Sequence, residues 1–133
     1  MIDCDVITLI DNPEALKLAV RAQKTASRVA GISARLVPAV TPTDDPAKLM
    51  QGAGMEIDEF IGQTYSDPDA AMAAFLSHRN AWIATVRVGR PRIVLEHDAV
   101  FVRSIGQKKL TSLERAGAKI VNFGAPSYGR VRK

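Results

Sequence analysis

The chain is poor in the side chains that most often announce a chemistry. There is one cysteine in 133 residues, so no internal disulfide forms, and Cys4 in the apolar run "CDVITLI" reads as a small buried side chain rather than a nucleophile. Aromatic residues make up only 5% of the chain. That argues against a nucleic-acid-binding protein, which would lack an aromatic stacking platform here, despite Arg79, Arg87, Arg90, Arg92, Arg103 and the tail "GRVRK". No apolar run approaches the roughly 20 residues that cross a bilayer. The start "MIDCDVITLI" is acidic where a secretory signal is basic. A cytoplasmic protein without a transmembrane segment is the expectation.

What is present is the composition of an ordinary globular protein, with 47% hydrophobic and 24% charged residues. A chain of this length buries roughly two-thirds of the surface it exposes when unfolded, enough for one domain over residues 1–133. No repeat, low-complexity tract or internal boundary interrupts it. The net charge of +4 conceals a division: residues 1–66 carry 6 Lys+Arg against 9 Asp+Glu, and residues 67–133 carry 12 against 5. The second half is the one that attracts anions, whether nucleotide phosphates, nucleic acid or an acidic membrane surface, although a solvated basic face is the commonest cause of such a bias.

The hydrophobic pattern reads as strand, helix, strand. "CDVITLI" is β-rich and ends at Asp11-Asn12-Pro13-Glu14, a helix start with a cap, a first-turn proline and a first-turn acid. Ala15, Leu18, Ala19, Ala22, Ala26 and Val29 then recur at three-and-four spacing until Gly31. "ARLVPAV" resumes as a strand, which opens a βαβ unit and predicts a parallel sheet covered by helices. "TPTDDPAKLMQGAG" is rich in turn residues and reads as a surface loop, and "MEIDEFIG" as one or two helical turns. A longer helix is expected from Asp67-Pro68-Asp69 to about Val88, with Ala71, Phe75, His78, Trp82 and Val86 on one face. Ile93-Val94-Leu95 has the look of a central strand covered on both sides. A helix over roughly Lys108 to Ala116 and a strand "AKIVNFG" follow.

The apolar strand delivers Glu96-His97-Asp98 to its carboxyl end, where ligands bind in open parallel sheets. In extended chain residues two apart share a side, so Glu96 and Asp98 converge while His97 turns away. Paired carboxylates suit Mg²⁺ or Mn²⁺ with phosphate oxygens completing the shell. On spacing alone, two solvated acids are the plainer reading. Ser77-His78 is not a hydrolase pair, because neighbours on a helix point about 100° apart. From the residues alone, a core histidine is the plainer reading of His78. "GQKKLT" lacks the leading glycine and spacing of a phosphate loop.

Taken together, "AAFLSHRNAW" and "PRIVLEHDAVFV" resemble the paired signature blocks of glycosyltransferase family 25, the lipopolysaccharide-biosynthesis galactosyltransferases and their collagen-modifying relatives. Ser77, His78 and Trp82 match the first block and Leu95, Glu96 and Asp98 the second, in the right order and at a similar gap. "DVITLI", "ARLVPAV" and "KIVNFGAPSYG" extend the similarity over most of the chain. His97 stands where the family has a middle acid, and "LIDNPEAL" lacks the family's arginines after the first strand.

The resemblance implies an α/β, GT-A-like three-layer sandwich with a mostly parallel sheet, of which these residues form the N-terminal nucleotide-binding half. It implies inverting, Mn²⁺- or Mg²⁺-dependent transfer of galactose or glucose from a UDP-sugar to a glycan or hydroxyl acceptor. Glu96 and Asp98 would hold metal and diphosphate, and Ser77 and His78 would line the donor pocket. The acceptor's catalytic base is not assigned. A half-fold leaves a sheet edge and helix faces to cover, so self-association or a larger assembly is expected. The rival class is a catalytically inactive relative kept as a binding or assembly module.

Overall fold

The computed structural model describes residues 1–102 and 105–115. Along the chain these form β1 (Ile2–Thr8), α1 (Pro13–Ser27), β2 (Ile32–Pro38), a 3-10 turn (Pro42–Asp44), α2 (Pro46–Gly52), α3 (Ile61–Thr64), α4 (Pro68–Val88), β3 (Arg92–Glu96) and α5 (Gln107–Arg115). The helix starts follow the capping chemistry of the sequence. Asn12 accepts from the Ala15 N–H at 3.0 Å and Asp67 from the Ala70 N–H at 2.9 Å, each before a proline whose missing N–H costs nothing there. α4 ends where Gly89 takes φ 66°, and its N–H closes on the Thr85 and Val86 carbonyls.

The expected loop over Thr41–Gly54 is largely helical. Its turn residues are caps: Asp44 accepts from the Thr41 N–H and hydroxyl, and Asp45, at φ 52°, accepts from the Lys48 N–H to start α2. Pro42 and Pro46 sit at helix starts, so residues that break a helix in its middle begin one here. The expected turns in "MEIDEFIG" shrink to α3, which starts only at Ile61. The expected strand "AKIVNFG" lies outside the described residues.

The described strands form one parallel sheet in the order β2-β1-β3, an α/β architecture. Among the described strands β1 lies between β2 and β3. Cys4 and Val6 of β1 face α1, whose alanines 19, 22 and 26 let the helix lie close to the sheet. Ile32, Leu36, Ile93, Leu95 and Phe101 complete that layer. Leu18, expected in the buried stripe, is 37% exposed. Burial in this layer and a charge on the neighbouring Asp5 push the Cys4 thiol up to about 12, so it stays protonated and inert at neutral pH. α4 packs against β1 and β3. A right-handed return from β2 across β1 to β3 puts it on the face opposite α1.

That opposite face carries Asp3 and Asp5, which alternate along β1 with the apolar side chains. Asp5 is 2% exposed, yet both its oxygens are occupied. Arg35 Nε of β2 donates to Oδ1 at 2.7 Å, and Arg92 Nη1 of β3 donates to Oδ2 at 2.6 Å. Arg92 also reaches Asp3 Oδ2 at 3.5 Å. Burial alone would raise the Asp5 carboxyl, but the hydrogen bonds and charges of the two guanidiniums together outweigh it and hold the group below its ordinary value.

Because the folded-state value is depressed, the stabilisation is present above the unfolded value of about 3.9 and disappears as pH falls through the lower folded value. Acid unfolding followed by circular dichroism should therefore show a stability loss below about pH 4 that Asp5→Asn lacks. At neutral pH, Asp5→Ala should cost about 3–5 kcal/mol in urea melts, since it leaves the buried Arg92 with only its longer contact to Asp3.

Candidate functional site

β2 and β3 leave β1 on opposite sides, so the carboxyl end of β1 is the point where the strand order divides. Open α/β sheets bind ligands there, because loops from the two sides part and leave a crevice. Thr8 closes β1 at this point. Its residue is fully buried, and its hydroxyl has no hydrogen-bond partner among the described residues.

α4 reaches both flanking strand exits through adjacent residues. The Ser77 hydroxyl donates to the Ala73 carbonyl at 2.9 Å and accepts from the Val40 N–H, just past β2, at 2.8 Å. The next residue, His78, bonds through Nε2 to Oε1 of Glu96, the last residue of β3, at 3.1 Å. A carboxylate can only accept, so Nε2 carries a proton, and in the neutral tautomer that makes this bond Nδ1 is the acceptor. The roughly 100° between successive helical side chains, which rules out a Ser77–His78 pair, is what sends one to each strand exit.

Ser77, expected to line a donor pocket, is buried at 6% exposure with its hydroxyl engaged on both sides, and it acts as a tie between α4 and the exit of β2. His78 is not a core histidine: its side chain is 31% exposed and that of its partner Glu96 is 62% exposed. The expected apolar face of α4 is in fact its outer one. Met72, Ala73, Leu76, Ser77 and Ala81 are the buried positions, whereas Phe75, Trp82 and Val86 are exposed. An apolar stripe by spacing was the wrong guide, because the alanines and Ser77 are small enough to pack against neighbouring elements.

The strand also stops sooner than expected. β3 ends at Glu96, and His97 and Asp98 lie in a turn closed by the Ala99 N–H on the Glu96 carbonyl at 3.0 Å. The same-side argument for Glu96 and Asp98 required extended chain through Asp98, so their convergence is not set by strand geometry. Among the described residues no three His, Cys, Asp or Glu side chains group closely enough to hold an ion. Glu96 and Asp98, two residues apart in sequence, are both exposed at this end. Two shallow recesses, one against α2 and one along the outer side of α1, include none of Ser77, His78, Glu96 or Asp98.

No family model, curated protein or solved structure matches the chain. No helix among the described residues is long and apolar enough to cross a membrane.

The two α4 residues should separate cleanly on mutation. Ser77→Ala strands the Val40 N–H and should cost about 1–3 kcal/mol. His78→Ala breaks a partly exposed pair worth about 0.2–1 kcal/mol. Urea melts of both variants measure the difference, and equal losses would contradict the assignment of Ser77 as the structural tie.

Proposed function

We propose that this chain is the nucleotide-sugar-binding half of a family-25-like, GT-A-like glycosyltransferase, which moves a hexose from a UDP-sugar to a glycan or hydroxyl acceptor. One observation carries the reading. The two segments that hold the resemblance, eighteen residues apart at His78 and Glu96, touch at 3.1 Å at a strand end beside the division of a parallel sheet. A likeness built on two sequence blocks gains weight when those blocks are joined in space at the place where such sheets bind ligands.

In this reading Glu96 and Asp98 hold Mn²⁺ or Mg²⁺. The bound cation would neutralise the donor's diphosphate as negative charge develops on it. His78 contributes by holding one oxygen of the Glu96 carboxylate through its Nε2–H, which leaves the other for the cation. Ser77 keeps α4 seated against the exit of β2, which holds His78 in reach of β3.

The second reading, a catalytically inactive binding module, draws on the turn at His97-Asp98. With Asp98 off the strand, and a histidine where the family has an acid, the negative charge gathered at the strand end is smaller than the resemblance implies. Turnover of a radiolabelled UDP-hexose distinguishes the two readings.

Asp98→Ala should abolish Mn²⁺-dependent binding of UDP-galactose and UDP-glucose in calorimetry. Its stability should stay within about 0.5 kcal/mol of the parent, as for other exposed substitutions. Undiminished binding in saturating Mn²⁺ would remove Asp98 from the metal site.

A further inference from the structure

The outer side of α4 is unusual for this chain. Seven aromatic residues are spread over 133 positions, yet two of them, Phe75 and Trp82, meet on one exposed helical face with ring centroids 6.1 Å apart and planes at 81°. Phe75 is 41% and Trp82 43% exposed. His78 lies between them in sequence, with its ring 6.3 Å from Trp82 and tilted 42°. The same His78 is bonded to Glu96 at the end of β3, so the rings adjoin the candidate site.

The size of the feature limits its occupant. Two aromatic side chains exposed to this degree leave on the order of 150 Å² of apolar surface in water. A stable protein interface needs about 800 Å² on each side, several times more, even with the exposed Val86 one turn further on. The patch is the size of one small ring. Its shape narrows the choice again. Rings at 81° form a corner, and a flat base stacks on only one wall of it. A pyranose, whose tetrahedral carbons project C–H bonds from its face and its rim, contacts both walls. The chemistry agrees, because a sugar also brings hydroxyl donors. His78 has given its Nε2–H to Glu96, and its Nδ1 has no protein partner among the described residues.

We propose that the corner of Phe75 and Trp82, with His78 Nδ1 as hydrogen-bond acceptor, seats a hexopyranose ring of a neutral glycan. Its role as the transfer acceptor rests on the glycosyltransferase reading above; its existence as a sugar site does not. The sugar then lies next to Glu96, with one hydroxyl held by an imidazole whose tautomer is fixed by that carboxylate.

Trp82 is the single tryptophan of the chain, so its fluorescence reports on this corner alone. Titration of the full chain with methyl galactoside, methyl glucoside and lactose should give a saturable change in Trp82 emission. Phe75→Leu, which keeps bulk but removes a wall and retains the reporter, should weaken binding about tenfold. His78→Gln should weaken it as well, while melting curves confirm that both variants are folded. UDP binding with Mn²⁺, followed separately by calorimetry, should survive Phe75→Leu. Absence of any saturable response to all three sugars overturns the proposal even if Mn²⁺–UDP binds. A sugar response without Mn²⁺–UDP binding upholds it and removes the transferase reading instead. A uridine response of the same form that is lost in Phe75→Leu, or a dimer in sedimentation that dissociates in that variant, overturns the sugar assignment.

Discussion

The Asp5 carboxylate, buried in the middle strand and gripped by one arginine from each flanking strand, is the interaction on which the arrangement at the strand ends depends. A carboxylate stripped of water is tolerable only when its charge and lone pairs are met. Here the partners come from β2 and β3 and nowhere nearer in the chain. A slip of either strand by one residue would turn its arginine to the opposite face and leave Asp5 unpaired. The ion cluster therefore acts on register as much as on stability. Register in turn decides that Val40 and Glu96 emerge level with Ser77 and His78 of α4.

α4 turns that level arrangement into a site. Its inner face is built from small and flexible side chains, Ala73, Ser77 and Ala81 beside Met72 and Leu76, and this closeness brings the backbone within one side chain's reach of two strand exits. Its outer face holds the rings that the inner face does not need. The division of labour falls between consecutive residues: Ser77 supports the helix, and His78 meets the carboxylate. Beyond the sheet, α2 and the 3-10 turn pack against α4, so the segment between β2 and α4 steadies the helix.

Much of this was legible locally. The caps at Asn12 and Asp67, the prolines after them and the stop at Gly89 located α1 and α4, because helix termini are decided by side chains within three or four residues of the end. The βαβ opening followed from the pattern of apolar residues. The helix in Thr41–Gly54 was missed because Pro and Asp belong equally to turns and to first helical turns, and the difference lies in the backbone that follows. The extended reading of Glu96 to Asp98 failed for a related reason: a strand stops where its partner stops, and Ile7, the partner of Glu96, is one residue from the end of β1.

By itself, the sequence determined the opening strand, helix and strand and the caps that start α1 and α4, since these rest on apolar pattern and short-range spacing. Tertiary structure decided that β1 lies between β2 and β3, which face of α4 is buried, that Asp3 and Asp5 are an ion cluster rather than a wet strand face, and that His78 belongs to Glu96. Each of these joins residues far apart along the chain, such as Asp5 with Arg92, and only packing determines whether a polar side chain meets water or a partner. The alternation of Asp3 and Asp5 with Cys4 and Val6 was the one local sign of that cluster. It could not reveal where the arginines would come from.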